Sequence, residues 1–408
     1  MTLSRRTLLG TAPSAAAMAT LGPGTKAAFS ANTQNDGRDI LVVVFLRFGC
    51  DGLTLIPPSD DASYHDQRPT IGIPASGLGA GLPIGKMDST QFFLHPSVPE
   101  LKALYDAGSL AIVNAVGVPT NSRSHFDIQD MMERGIVDAD GPLAGGWLSR
   151  HLTSSGVVLP DLGAVASAPD VNISLQGFPG AVAIPDVAEF NVIGGDFHLS
   201  VIEAMNSGPE PHAIAARETA KTIRSVRAKH AGLPARNSDD GGYTDSQFST
   251  SLRSIADLVK MDTGIEVATV DYGGWDHHFE MNRYFPAHAA EMSKSLSAFW
   301  HDMADYHDRI TVVAMTEFGR RLEENANGGT DHGSGAFMLA LGGAVRGGKM
   351  YGQWPGLKEN ELREGDLRIT TDYRQVIQEI LLKRRGELSP EKIFPSLAYE
   401  PLGFIKPI

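Results

Sequence analysis

The sequence predicts an α/β fold, with a mostly parallel central sheet and helices on both of its faces. Three observations predict it. Continuous apolar, β-branched runs recur along the chain, and unbroken hydrophobicity is what a strand covered on both faces shows. Segments with helical spacing separate several of these runs, the order that parallel pairing requires. Two of the runs close on glycine-bearing turns, which mark the passage from strand to loop.

Residues 39–46 (DILVVVFL) form the first predicted strand and end in Gly49-Cys50-Asp51-Gly52. Residues 99–107 have helical spacing and stop at Gly108, and residues 110–116 (LAIVNAV) give a second buried strand ending at Gly117. Residues 265–271 (IEVATVD), 309–316 (RITVVAMT) and 336–341 (AFMLAL) repeat the pattern, with a long helical segment at 279–306 between the first two. From about 159 to 262 the chain is less regular. Pro160, Pro169, Pro179 and Pro185 break short apolar pieces, and helices are expected near 209–230 and 245–261. This part is expected to be an irregular, helical cap or insertion on a single α/β domain spanning 31–408.

The first thirty residues predict an export signal. Ser4-Arg5-Arg6-Thr7-Leu8-Leu9 approximates the twin-arginine pattern, an Ala-rich apolar stretch follows, and small residues near 27–31 offer a cleavage site. The twin-arginine translocase is the partner this implies, and the destination is the periplasm or the exterior. Of the 408 residues, 35 are basic and 48 acidic, a net charge of −13. Removing Arg5, Arg6 and Lys26 with the signal leaves 32 basic residues against 48, or −16. Such a surface argues against a duplex nucleic-acid binder. No stretch reaches the ~20 apolar residues of a membrane span, so none is expected in the mature form. Cys50 is the single cysteine, which excludes an intramolecular disulfide and a Cys-x-x-Cys pair. Gly77-Leu78-Gly79-Ala80-Gly81 does not fit a dinucleotide loop.

In an open α/β sheet, ligands gather beyond the carboxyl ends of the strands, so the residues at the strand exits carry the functional expectation. These are Asp51, the run 121–127 (NSRSHFD), the run 273–278 (GGWDHH), the run 316–321 (TEFGRR) and, before the last strand, the run 328–333 (GGTDHG). Each bears a carboxylate and three bear histidine, a donor mixture that suits zinc, manganese or iron in a site of one or two ions. Asp276 and His278, two residues apart, fall on one side of an extended segment and are placed to share an ion. Asp331 and His332 lie among glycines that permit close backbone approach. Ser124, with Ser122 as competitor, precedes an expected helix at 126–134 and is the nucleophile candidate; a serine there is equally the preferred N-cap. His125 follows it and also has the alternative of capping the helix. Arg123, or the pair Arg320-Arg321, is suited to hold a phosphate or sulfate.

The segments LVVVFLRFGCDGL, RSHFDIQD, VDYGGWDHH, TEFGRR, GGTDHGSGAFMLALGG and YGQWPGL, with the twin-arginine start, resemble the exported bacterial proteins of domain of unknown function 1501, from about residue 39 to the C-terminus. Usual members read closer to G-G-A-D-G where this chain has Phe48-Gly49-Cys50-Asp51-Gly52. That family is similar to the alkaline phosphatase and sulfatase superfamily. The resemblance implies Asp51 as a first-strand metal ligand, Ser124 or Ser122 in the nucleophile region, Asp276 with His278 as a ligand pair and His332 as the last histidine. Glu317-Phe318 stands where the superfamily has Asp-His, so Glu317 coordinates alone, Asp331-His332 supplies the pair, or a single ion is retained. No Cys-x-Pro-x-Arg or Ser-x-Pro-x-Arg occurs, which favours phosphate over sulfate esters. The resemblance therefore implies an exported metal-dependent hydrolase acting on a small anionic ester. Its rival is a non-catalytic binding or assembly protein for another exported protein, built on the same scaffold with a degenerate site.

Overall fold

The computed structural model describes residues 39–137, 143, 145–155, 159, 162–234, 240–386 and 389–407. The expected export signal at 1–30 lies outside the described residues.

The strands in chain order are β1 (Ile40–Leu46), β2 (Leu82–Met87), β3 (Thr90–Leu94), β4 (Leu110–Gly117), β5 (Ala164–Ser167), β6 (Ala181–Ala183), β7 (Val267–Tyr272), β8 (Ile310–Met315), β9 (Arg320–Glu324), β10 (Thr330–His332), β11 (Ala336–Gly342), β12 (Lys349–Tyr351) and β13 (Thr371–Asp372). Nine of them form the central sheet in the order β12-β4-β11-β8-β1-β7-β5-β6, with β13 paired to β4. β1 lies in the middle, parallel to β7 and β8. Its seven residues are all buried, and they alternate between two cores. Val42, Val44 and Leu46 face one, Leu41, Val43 and Phe45 the other. That alternation is the period of two of a strand covered on both sides.

Helices supply the covers. Pro99–Asp106, Gln247–Lys260 and Met281–Asp302 bury their apolar residues in the first core. His125–Arg134, Trp147–Ser154 and Tyr373–Arg384 do so in the second. The expected α/β architecture is therefore observed.

One strand runs against the others. β11 is antiparallel to both β8 and β4. The cause is the connection: between Met315 and Ala336 the chain makes only the hairpin β9-β10 and returns to the same edge of the sheet, whereas a parallel neighbour needs a crossover to the opposite edge. This brings the start of β11 beside the ends of β1, β7 and β8.

The segment 159–262 contributes more to the sheet than a cap would. β5 and β6 extend the sheet beyond β7, and the helix Gln247–Lys260 packs in the main core. Each of these strands has only three or four residues, too short to register as an apolar run. The helical pair Gly195–Met205 and Pro211–Ala231 has a small core of its own, around Leu199, Ala220 and Ile223, and reaches the main core through Val226.

Candidate metal centre

The loop after β1 turns sharply: Phe48 and Gly49 both take left-handed backbone, at φ 80° and 69°. For a phenylalanine this is uncommon and costs of order 1 kcal/mol or more. Its amide donates to Glu317 Oε1 at 2.8 Å, which ties the loop to the end of β8. After β4, Ser124 caps the helix His125–Arg134, and the ring of His125 stacks on Phe318 with 4.7 Å between centroids. After β7, the extended run through Asp276 and His278 carries both side chains towards the same place. His332 arrives from β10.

Asp276 Oδ1 is the hub. His125 Nε2 lies 3.3 Å from it, His278 Nε2 3.0 Å and His332 Nε2 3.2 Å; the two latter nitrogens are 3.0 Å apart. His125, Asp276 and His332 each present one ligand atom within 4.8 Å of the others. Tetrahedral coordination at 2.0–2.2 Å spaces neighbouring donors by about 3.3–3.5 Å, so these separations are near those of a zinc site.

The second ring nitrogen of each histidine fixes its tautomer. His125 Nδ1 faces Glu317 Oε1 at 2.7 Å, His278 Nδ1 faces Asp331 Oδ1 at 3.0 Å and His332 Nδ1 faces the carbonyl of Arg123 at 2.8 Å. All three partners can only accept, so each neutral ring carries its proton on Nδ1 and turns a bare Nε2 inward. Carboxylate or carbonyl behind a histidine is the usual outer support of a metal ligand. Burial pushes the His332 imidazole below its ordinary pKa. Burial alone would raise Asp276, but the hydrogen bond and charge of Arg320, reinforced by His278 and His125, bring it down to about 2. Four acceptors thus converge, and the donor facing them is Arg320, whose Nη2 is 2.6 Å from Asp276 Oδ1 and whose Nη1 is 3.4 Å from His278 Nε2. His125 Nε2 is buried without a hydrogen-bond partner. Acceptors packed this closely require a proton or a cation between them, and the donor set fits a divalent metal ion.

Two expected ligands stand behind this cluster. Glu317 is fully buried and holds His125, Gln129 and the Phe48 amide through one oxygen. Asp331 holds His278 from the exposed side, and that hydrogen bond draws its pKa down. Asp51 is not brought to the cluster. Its carboxylate caps the short helix Gly52–Leu55 and forms an ion pair with Arg68 at 2.8 Å, both side chains being buried. Arg68, seventeen residues downstream and outside every strand exit, gave no sequence signal.

Ser124 Oγ accepts the Asp127 amide at 3.4 Å, Ser122 Oγ donates to the Asp127 carboxylate at 3.3 Å, and Arg123 is held by Asp366 at 2.6 Å. Arg320 and Arg321 do not act as a pair. Successive residues of β9 point to opposite sides, so Arg320 is buried while Arg321 reaches the Glu364 carbonyl. Arg320 also donates to the carbonyls of Phe48, Gly49, Trp275 and Thr330, joining the exits of β1 and β7 to β10.

The glycines around Asp331 and His332 bring backbone onto backbone. A side chain at Gly329 would collide with the His278 carbonyl carbon, one at Gly333 with Arg320, and one at Gly319 with the Gly335 carbonyl. No helix among the described residues is long and apolar enough to cross a membrane.

Fold and site define an α/β protein with a histidine-rich candidate metal centre at one edge of its sheet. Residues 210–381 match the family described as Protein of unknown function (DUF1501), and over those residues the resemblance drawn from the motifs is borne out. No curated protein sequence matches the chain. Among solved structures it is similar to the phosphonate monoester hydrolase of Agrobacterium radiobacter at 10% identity and TM-score 0.39, covering 90% of this chain and 79% of that one. It is similar to the lipoteichoic acid synthase LtaP from Listeria monocytogenes at 11% identity and TM-score 0.33, over 83% and 76%. The C-terminal periplasmic domain of EcEptC from Escherichia coli, in complex with Zn, gives 8% identity and TM-score 0.34, over 78% and 76%. Likeness this distant says nothing of activity or substrate.

Proposed function

We propose that the protein is an exported, metal-dependent hydrolase of small phosphate esters, with sulfate esters as poorer substrates. The observation that carries the reading is the convergence of His125 and His332 Nε2 on one ionised carboxylate oxygen of Asp276, with His278 beside them, at a site that opens to solvent, Asp276 being 42% and His278 37% exposed. Closed metal sites are structural, whereas catalytic ones keep a face for substrate. His125, Asp276 and His332 hold the ion and leave its fourth position open beside His278; zinc is the first choice and manganese or iron the alternatives. When bound, it supplies Lewis-acid polarisation of an ester oxygen. Glu317, Asp331 and the Arg123 carbonyl keep the imidazoles turned inward, and Arg320 keeps Asp276 ionised.

Ser124 is assigned the attack. It immediately precedes His125, and its hydroxyl, accepting one long capping bond, keeps its proton free to leave. Attack by Oγ forms an Oγ–P bond and releases the alcohol, which takes up the serine proton; water then cleaves the Oγ–P bond to give phosphate. The test is hydrolysis of p-nitrophenyl phosphate by zinc-loaded protein. Ser124→Ala is expected to lose more than a hundredfold in kcat with zinc retained, and unchanged turnover removes Ser124 from the mechanism.

A second reading, a metal-bearing binding protein, is favoured by one observation: Arg123, the side chain suited to hold the substrate anion, is already engaged by the buried Asp366. Full zinc loading without hydrolysis of phosphate or sulfate esters would establish it.

A further inference from the structure

We infer that the centre takes a single metal ion, with Asp51 excluded from coordination by Arg68 and a second cation excluded by Arg320. The inference rests on the metal-site reading above and extends it to the number of ions.

A second ion needs donors that are not already spent, and the carboxylates at the strand ends are largely consumed. Asp51 Oδ1 accepts the amides of Leu53 and Thr54 and one nitrogen of Arg68. Its Oδ2 accepts the Thr54 and Thr330 hydroxyls and forms the 2.8 Å ion pair with Arg68. Arg68 is in turn fixed by the carbonyls of Arg321 and Leu322 and by Thr54, so it cannot swing aside without stranding a buried guanidinium. Glu317 Oε1 already has three donors, and Oε2 takes the Thr316 hydroxyl at 3.3 Å. Asp331 Oδ1 is occupied by His278 and Asn325. His125 and His332 remain, with Asp276, which Arg320 also holds; their ligand atoms lie within 4.8 Å of one another and make one set of three with an open fourth position.

Charge acts in the same direction. The Arg320 guanidinium is wholly buried and anchored by four backbone carbonyls, and it presents two nitrogens to Asp276 and His278 on the flank where a neighbouring ion would share those ligands. A fixed positive charge in a partly dry site repels a divalent cation placed beside it. The guanidinium thus supplies the second positive charge that the carboxylate balances.

The test is a zinc count on the full chain, as purified and after saturation with excess zinc, by elemental analysis, with X-ray absorption at the zinc edge. One zinc per chain, bound by two imidazoles and one carboxylate, is expected in both samples. Two per chain, metal–metal scattering at about 3.5–4 Å, or no bound zinc each overturn the inference. Asp51→Asn is expected to keep one zinc with affinity within threefold of the parent, and a loss beyond tenfold overturns it; should that variant fail to fold, the absorption spectrum of the unaltered chain decides. Hydrolysis assayed on the same samples separates the two readings. One zinc without turnover keeps this inference and removes the hydrolase, whereas two zincs with turnover do the reverse.

Discussion

Glu317 accepts the Nδ1 proton of His125 at 2.7 Å, and that bond decides which nitrogen of the ring faces Asp276. Glu317→Gln keeps the shape but replaces one acceptor oxygen by a donor beside the Phe48 amide, Gln129 and His125. Zinc affinity is expected to fall about 10–100-fold, read by competition with a chromogenic chelator, with little change in the circular dichroism spectrum. Unaltered affinity would mean that Glu317 does not orient the ligand.

The buried pair Asp51 and Arg68 gives a stability prediction. Arg68→Met leaves the Asp51 carboxylate without its counterion and is expected to cost about 3–5 kcal/mol. Adding Asp51→Asn should recover part of that loss, since the uncompensated charge is then removed. A double variant no more stable than Arg68→Met, in urea unfolding, would show that the pair does not act through charge.

Gly329 lies against the backbone of His278 and Phe279. Gly329→Ala must push the His278 loop away, at an expected cost of about 1–3 kcal/mol and with a loss of zinc affinity that exceeds any effect of Gly77→Ala, where a side chain meets nothing within 4 Å. Equal zinc affinity in the two variants would rule out this coupling.

His95 is buried against Phe285, with its Nδ1 accepting the Ser97 amide. Burial pushes its pKa down to about 4 from an ordinary 6.5. The folded state therefore refuses a proton that the unfolded chain accepts between those values. The neutral ring costs nothing above pH 6.5, and stability falls as pH drops from 6.5 to 4, by about 3 kcal/mol in total. His95→Gln should flatten that part of the pH–stability curve relative to the parent; parallel curves would refute the assignment.

The strands β1, β4, β7, β8 and β11 were legible because each is an uninterrupted apolar run, and the histidines and carboxylates were legible because strand exits collect at one edge. Asp276, His278 and His332 stand at those exits as expected metal ligands, whereas His125 was expected beside the nucleophile or as a helix cap, since nothing local says that its ring turns towards Asp276. What the carboxylates do there was not legible. Whether Asp51 meets a metal or an arginine depends on Arg68, which reaches it only after the chain has folded back, and no local pattern announces that meeting. Arg320 was visible as a charge, but its burial follows from the side to which β9 turns it. The reversed β11 was hidden for a related reason: its apolar run is the same in either direction, and only the hairpin before it sets the direction.

The tight contacts at Gly319, Gly329 and Gly333 leave no space for even a methyl group within the scaffold behind the ligands. Retuning the protein towards a different target must therefore happen at exposed side chains, such as Phe126 and Phe279, next in sequence to His125 and His278 and 77% and 55% exposed.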